Sequence, residues 1–465
     1  MAVTTENIKA TIASPTTAPT WIFVVLCFLH FLNSFDRGII PGAPAQFQYF
    51  LQTSKNTTDT GTLFGLLSSS FVASYSVAIP LFGYLSMSMR RFQLIAIGLA
   101  IWSTAVFMCS AAKEANSFNL LFYGRVLSGA GEASFQCIAP PFIDEFAPDN
   151  TKTLWLGVYY ISAMVGGTSG SIVASGGPSI NFGWDSVYAC EGLIMMPVMA
   201  LCLYGIPPAY NAIPADDDDD LASRPTESKS FLGEVWAVCS NAVFVWIAIA
   251  SAAAAFSSSG VTTFATLLLM GLGVFKSETD ANVVMGAQSI MTAMVGTLLG
   301  GILLDCACKG APHMRQYLAL RQLIYSLPLC ILAMMLSLYV LPDRMWYLAW
   351  SAVSHLISAS LSPVLMTALF HSVEPSRRAL TTGVYTLVLH VLGDVPAPII
   401  MGAIKDSWAP HCNSVKVDGV VKLNPECGQD KDGLIQAMVF PMLWMVWALA
   451  SFGAAMYLSK KQHNK

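Results

Sequence analysis

Charged residues are scarce in this chain: Asp, Glu, Lys and Arg make up only 11% of its 465 residues, against roughly 25% in soluble domains. The net charge is −4 and no run of Lys and Arg is present to neutralise phosphates, which excludes a nucleic-acid-binding protein. The sequence also lacks the Cys and His spacing of a metal site, a phosphate-binding glycine loop and a serine nucleophile elbow. We therefore expect no enzyme, no metal and no cofactor.

Apolar sequence is abundant instead, with 55% hydrophobic residues and a mean hydropathy of +0.58. About twelve stretches reach the ~20 apolar residues that cross a hydrocarbon core. The sequence predicts an all-α polytopic membrane protein with twelve transmembrane helices. The polar segment before Trp21 lacks the features of a secretory signal, so we expect the first helix to be retained as an anchor. The predicted spans are 19–44, 61–84, 92–112, 118–141, 154–177, 185–206, 234–258, 281–304, 317–340, 345–370, 380–404 and 433–458.

A polar, acidic segment, 207–233, separates two groups of six predicted helices. Two six-helix bundles that rock about a central site are the architecture of parallel-repeat transporters. The run Asp216 to Asp220 is interpreted as a solvated cytosolic linker, because a calcium site needs ligands at spaced positions. The predicted domains are a tail 1–18, an N-terminal bundle 19–206, a C-terminal bundle 234–458 with an outer loop 405–432, and a tail 459–465.

Loop composition predicts the orientation of the chain. Lys and Arg favour cytosolic loops, and their distribution here places both termini in the cytosol. The sequon at Asn56 then lies in the first outer loop, where it predicts glycosylation, and Cys412 and Cys427 share the last outer loop. Both features belong to an oxidising compartment. Whether these two thiols form a disulfide is left open, because the sequence does not fix their distance.

Ionisable residues inside the predicted spans are the main functional signal. Asp36 and Arg37 lie in the first span, where a charge costs at least about 2.5–3.5 kcal/mol and persists only beside a polar cavity or ion pathway. Arg125 and Glu132 lie seven residues apart, nearly on one face of the fourth helix. Because Asp36 and Arg37 point about 100° apart, we expect them to find separate partners, Arg125 for Asp36 and Glu132 for Arg37.

A second pair lies in the eleventh helix, where His390 and Asp394 are four residues apart and can meet on one face. Across the three helices, three carboxylates then face two arginines, and His390 can neutralise the excess. Our hypothesis is that Asp36 or Glu132 accepts a proton in one access state, which weakens its ion pair. The alternative is a fixed network that only holds the three helices together. Four aromatic residues either line a ligand path or pack: Tyr75, Trp102, Tyr159 and Tyr160.

Four separated strings carry a resemblance to a known family: NSFDRGIIPGAP, FVASYSVAIPLFGYL, GRVLSGAGEASFQCIAPPFIDEF and GDVPAPIIMGAIKDSW. With them the chain resembles the major facilitator superfamily and, within it, the spinster family of lipid transporters. The resemblance implies proton-linked or facilitated transport of lysophospholipids or sphingoid phosphates, with a single chain as the working unit. A phosphate head would suit Arg37. We expect the substrate site to include Arg37, Arg125, His390 and Asp394, with Asp36 and Glu132 as proton-coupling residues.

Departures from the family pattern make this a divergent member. Gly83 after helix two is echoed by Gly300 after helix eight, and each glycine would let two helices approach closely at a cytosolic turn. Met87 stands where the family has an acidic residue, so the resemblance does not predict the family's cytosolic charge interaction in the first half of this chain. Asp305 keeps a related position in the second half although Cys306 follows it, so Gly83 and Asp305 are the candidates for gating. Trp184-Asp185 also replaces the usual Trp-Arg.

Other functions stay open at this point. A facilitator of sugars or small organic anions has the same architecture, although the helices hold few Asn and Gln for sugar contacts. A membrane scaffold would not need paired intramembrane charges, and Asp36 and Glu132 therefore argue against it. An acidic lysosomal or endosomal membrane suits proton coupling, whereas a plasma membrane gives the same topology.

Overall fold

The structure is a computed structural model of the 465-residue chain. It describes residues 17–86, 88–148, 152–176, 183–211, 231–309, 314–373, 378–417 and 419–463. Met87, the acidic run Asp216 to Asp220 and most of the predicted tail 1–18 lie outside the described residues.

Helices form nearly all of the described chain. They are α1 Thr20–Gly42, α2 Pro44–Lys55, α3 Thr60–Leu85, α4 Arg91–Glu114, α5 Phe118–Gln136, α6 Ala139–Phe146, α7 Lys152–Gly176, α8 Trp184–Ala200, α9 Phe231–Cys239, α10 Ala242–Gly271, α11 Glu278–Cys308, α12 Arg315–Tyr339, α13 Arg344–Phe370, α14 Arg378–Leu389, α15 Pro396–Trp408 and α16 Lys431–His463. Two π-helical turns, Leu201–Gly205 and His390–Asp394, and two 3-10 turns, Pro208–Tyr210 and Pro425–Asp430, interrupt or join them. The strands β1 Ser414–Val417 and β2 Val420–Leu423 form an antiparallel hairpin.

Within the described ranges, 11 helical segments are long and apolar enough to cross a membrane. The predicted all-α membrane fold is confirmed. The predicted span 118–141 is not among the 11, because Arg125 and Glu132 lower the hydropathy of α5, which still runs for 19 residues. The chain then breaks at Cys137-Ile138, and α6 begins with Ala139 followed by two prolines, which suit a helix start.

Several boundaries differ from the prediction for local reasons. The predicted span 234–258 falls on two helices, since the side chain of Asn241 accepts hydrogen bonds from Val243 N at 3.0 Å and Phe244 N at 3.3 Å and so caps a new helix, α10. The amphipathic helix α2 and the hairpin inside the predicted loop 405–432 were not predicted, because neither carries a long apolar run.

The chain divides into two compact units. Unit 1 consists of Met1–Gly38, Ser74–Gly170 and Gly183–Pro225, and unit 2 of Ile39–Ala73, Ser171–Phe182 and Thr226–Lys465. The helices α1, α3 and α7 each contribute to both units. The proposed bundles 19–206 and 234–458 remain a prediction.

In unit 1, α4 packs against α5 and α8. Large side chains fill this packing, including the fully buried Trp102, Trp184 and Tyr188. Lipid chains are as apolar as these side chains, so packing and hydrogen bonds rather than exclusion from water hold such helices together. This arrangement brings polar residues of α4, α5 and α8 to the inside of unit 1.

In unit 2, α10 packs on α16, and α13 packs on both α11 and α12. A close helix approach depends on Gly300 of α11: a Cβ added there would lie 1.9 Å from the backbone oxygen of Ser360 in α13. The neighbouring Gly301 faces open space, with no described atom within 4 Å of an added Cβ. The two adjacent glycines therefore have opposite surroundings in one helix.

Gly300→Val is expected to lower the melting temperature of the purified protein, because its side chain would force α11 and α13 apart. Overpacking of this kind costs about 1–3 kcal/mol. Gly301→Val in the same helix turn is the matched control and should melt close to wild type. Equal melting temperatures for the two variants in detergent would contradict the described packing.

Candidate substrate and proton site

The centre of unit 1 is a buried ion pair. Asp36 of α1 is fully buried, and Nη1 of Arg125 in α5, which is 2% exposed, donates to its Oδ1. The other carboxylate oxygen accepts two hydrogen bonds, from Ser128 Oγ at 2.6 Å and from Trp102 Nε1 at 3.2 Å. Asp36 thus has both a counter-charge and neutral donors, which is what a carboxylate out of contact with water requires.

A second ion pair joins the same two helices. Nε of Arg37 lies 3.4 Å from Oε2 of Glu132. The same oxygen accepts a hydrogen bond from the amide of Asn33, whose own oxygen lies 3.2 Å from Nε2 of Gln136. The guanidinium of Arg37 also lies over the ring of Tyr75, 4.6 Å from its centroid. The Arg37 side chain is 35% exposed while that of Glu132 is fully buried, so Arg37 is the less buried partner of this pair.

Helix geometry explains why the two arginines hold different carboxylates, although Glu132 also interacts with Asp36 and Arg125. Asn33 and Arg37 are four residues apart on one face of α1, and both reach Glu132. Asp36 is rotated about 100° from Arg37 and reaches Arg125 instead. The structure therefore brings together both pairs expected from the sequence.

Glu191 of α8 is a buried carboxyl that was not predicted as a site residue. It is 2% exposed, and neither of its carboxyl oxygens has a hydrogen-bond partner among the described residues. It interacts electrostatically with Asp36, Glu132 and Arg125. Its sequence signal was the same as that of Asp36, an ionisable residue inside an apolar span.

The aromatic candidates of unit 1 have different surroundings. Trp102 and Tyr75 belong to the charged cluster through Asp36 and Arg37. Tyr159 is buried and stacks on His30, with ring centroids 4.0 Å apart, and its backbone oxygen lies 3.0 Å from Nδ1 of His30. Tyr160 is 56% exposed.

In unit 2, His390 and Asp394 meet as the sequence predicts, with 2.7 Å between Nδ1 and Oδ2. They are the first and last residues of the π-helical turn His390–Asp394. Single π-helical turns inside α-helices occur frequently at functional sites. Both side chains are largely buried, and each has the other as a partner.

A carboxylate that connects two helices of unit 2 was also not predicted. Asp406 of α15 accepts hydrogen bonds from the backbone N of Gly61 and of Thr62, both at 2.8 Å, and from Thr62 Oγ1 at 2.9 Å. The buried Lys405 lies 3.3 Å from the same carboxylate. A Cβ on Gly402 would lie 2.1 Å from the oxygen of Gly61, so the two helices touch backbone to backbone. Asp406 therefore caps the beginning of α3.

The two gating candidates differ in their surroundings. Asp305, near the end of α11, accepts a hydrogen bond from Nη2 of Arg315, the first residue of α12, at 2.6 Å. Gly83 makes no close helix approach among the described residues, since an added Cβ would meet nothing within 4 Å. The expected close approach is absent at Gly83 and present at Gly300, because only Gly300 faces a neighbouring backbone. Met87 lies outside the described residues.

The predicted outer loops have defined structure. Asn56 is exposed at the end of α2 in the left-handed region, with φ of 50°, which asparagine tolerates well. Cys412 and Cys427 form a disulfide that closes the segment with the β-hairpin. His411 lies 2.9 Å from Asp430, and that hydrogen bond and charge raise the pKa of His411 above its ordinary value.

This geometry defines a class of protein: a helical membrane protein whose first unit holds paired charges away from lipid. The sequence profile of the Major Facilitator Superfamily matches residues 26–398. The chain belongs to this superfamily, and it is a transporter rather than an enzyme.

Individual relatives narrow the class. The chain is 28% identical to a probable sphingolipid transporter, spinster homolog 2 of Arabidopsis thaliana, over 90% of this chain and 87% of the relative. It is 25% identical to protein spinster homolog 3 of Danio rerio, over 83% and 77% of the two chains. A crystal structure of a bacterial homologue of the human lysosomal transporter Spinster, inward-facing and unoccupied, matches with a TM-score of 0.75 at 20% identity, over 95% of this chain and 98% of that one. The spinster resemblance seen in the sequence is confirmed, and the transporter is of the spinster type.

Proposed function

We propose that this protein is a proton-linked secondary transporter that moves lysophospholipids or sphingoid-type amphiphiles by alternating access. The observation that carries the proposal is the Arg37–Glu132 pair, in which a partly exposed arginine is held by a fully buried carboxylate. The sphingolipid transporter named among the relatives supports the substrate class.

The phosphate of the substrate head binds Arg37. A guanidinium pairs with phosphate through two parallel hydrogen bonds, so the phosphate of the substrate can replace the Glu132 carboxylate as the partner of Arg37. Tyr75 keeps the guanidinium in place through the contact with its ring. Substrate binding therefore takes Arg37 away from Glu132.

Proton uptake follows from the loss of that partner. A buried carboxylate without its counter-charge is costly, and protonation removes the charge. Glu132 gains one proton when Arg37 turns to the phosphate, and it releases the proton when Arg37 returns. While Arg37 and Glu132 exchange partners in this step, Asp36 stays paired with Arg125. His390 with Asp394 forms a second polar site in the other unit. Proton entry and substrate binding are coupled because both depend on Arg37.

The substrate class is tested by uptake of a labelled lysophospholipid into liposomes that contain the purified protein. Unlabelled lysophospholipid and sphingoid phosphate should compete, whereas glucose and a small organic anion should not. Arg37→Gln should abolish uptake, and Arg91→Gln, which removes a cation paired with Glu145 at 2.6 Å outside the cluster, should retain it. Uptake of labelled glucose or of a labelled organic anion by the same liposomes, with no uptake of lysophospholipid, would instead establish a facilitator of small solutes.

The membrane and topology belong to the same proposal. We place the protein as a monomer in a lysosomal or endosomal membrane, with both termini cytosolic and Asn56 in the lumen. A lumenal sequon on an exposed helix end is accessible for glycosylation.

Wild-type protein expressed in cells should lose apparent mass on treatment with a glycosidase, and Asn56→Gln should run at the deglycosylated position without treatment. Gln46→Asn, which creates no sequon, is the control and should behave as wild type. A wild-type protein that is insensitive to the enzyme, together with protection of its C-terminus from cytosolic protease, would reverse the proposed orientation.

A further inference from the structure

Glu191 is the least compensated charge-bearing group in the described part of unit 1. It lies in the spanning segment Trp184–Gly205 and is 2% exposed. Neither carboxyl oxygen has a hydrogen-bond partner there. A carboxylate in such a position would cost several kcal/mol.

The position of Glu191 in α8 directs it to the charged cluster. Tyr188, three residues earlier on the same face, has its hydroxyl 3.4 Å from Nη1 of Arg125. Arg125 is therefore next to the face of α8 that carries Glu191. The titratable and charged groups that interact with Glu191 are Asp36 from α1, Cys109 from α4, Arg125 and Glu132 from α5, and Tyr188 from its own helix.

The charges of this cluster do not balance if every group is ionised. Three carboxyls, those of Asp36, Glu132 and Glu191, face two guanidiniums, those of Arg37 and Arg125. The two guanidiniums are paired with Asp36 and Glu132. One proton is therefore needed for neutrality, and Glu191 is the carboxyl that has no counter-charge of its own.

We propose that Glu191 is a resident proton-binding residue of the transporter, neutral while Asp36 holds Arg125 and ionised when Arg125 turns to it. In the exchange the O–H bond of Glu191 breaks, its proton passes to Asp36, and Arg125 then neutralises the new Glu191 carboxylate instead. The total charge is unchanged. The proposal rests on the proton-linked function given above and adds a second carboxyl exchange to it.

The test is an infrared spectrum of the purified protein at neutral pH, in which a protonated carboxyl gives a C=O stretching band distinct from that of a carboxylate. The band should be present in wild type and in Glu114→Gln, which replaces an exposed glutamate. It should be lost in Glu191→Gln. An unchanged band in Glu191→Gln overturns the proposal.

Stability and transport give two further readouts. Glutamine resembles the neutral acid, so Glu191→Gln should fold with the melting temperature of wild type, and failure to fold overturns the proposal. In liposomes this variant should take up lysolipid at the gradient-free rate whether or not a pH gradient is imposed. If the variant responds to the gradient as wild type does, Glu191 takes no part in coupling. If wild type transports no lysolipid while the Glu191 band is present, the proposed function fails and the proton site stands.

Discussion

Arg125→Met is expected to melt far below wild type and to transport nothing. The substitution leaves Asp36 as a fully buried carboxylate whose remaining donors among the described residues are Ser128 and Trp102. Removing one partner of a buried ion pair typically costs about 3–5 kcal/mol. The measurement is the thermal unfolding of the purified variant in detergent, followed by uptake in liposomes.

The double variant Asp36→Asn with Arg125→Met separates stability from function. Asparagine still accepts hydrogen bonds and carries no charge, so the double variant should regain most of the melting temperature while transport stays lost. Lys113→Met is the control, because it breaks the half-exposed pair with Asp185, and exposed pairs contribute only about 0–1 kcal/mol. A double variant that transports as wild type would show that the pair only holds the helices together.

Asp406→Ala is expected to release the beginning of α3 from α15. The carboxylate accepts three hydrogen bonds from Gly61 and Thr62, and bonds to a charged group contribute about 1.5–3 kcal/mol each. A free-energy change of 1.4 kcal/mol is about a tenfold change in an equilibrium constant. Loss of these hydrogen bonds should therefore change a population in which α3 contacts α15 into a mixture of molecules with and without that contact. Spin labels at Thr58→Cys and Ser407→Cys, both exposed, report this distance by electron resonance.

Wild type should show one short distance between these labels, and Asp406→Ala should add a longer one. Asp430→Ala provides a matched control in the neighbouring segment, because that carboxylate bonds His411 rather than α3. The labels require a background without the nine free cysteines. Identical distance distributions in wild type and Asp406→Ala would remove Asp406 from any role in closing this contact.

The fold was predictable because the length of an apolar run directly reflects the thickness of a bilayer. What the sequence could not supply were features set by short polar contacts. The cap at Asn241 divides one predicted span into two helices, and the hairpin near Cys412 is too short for a periodic signal. At α5 the apolar signal itself is weak, since Arg125 and Glu132 lower the hydropathy of this helix.

The candidate site was partly predictable for the same reason. Helical periodicity gave the two ion pairs of α1 and α5 and the pair His390 with Asp394. Glu191 could have been found by the rule that identified Asp36, yet its place beside Arg125 depends on the packing of α8. Asp406 needed the fold, because its partners lie 344 and 345 residues away in the chain.

The central claim is that lysolipid movement and proton movement are linked through the cluster around Arg37 and Glu132. The most direct measurement is the pH inside proteoliposomes, recorded with a trapped dye when lysophospholipid is added without any imposed gradient. The account predicts a pH change that depends on the substrate, that is absent in Glu132→Gln, and that persists in the control Glu114→Gln. Lysolipid uptake by wild type with no pH change would contradict it.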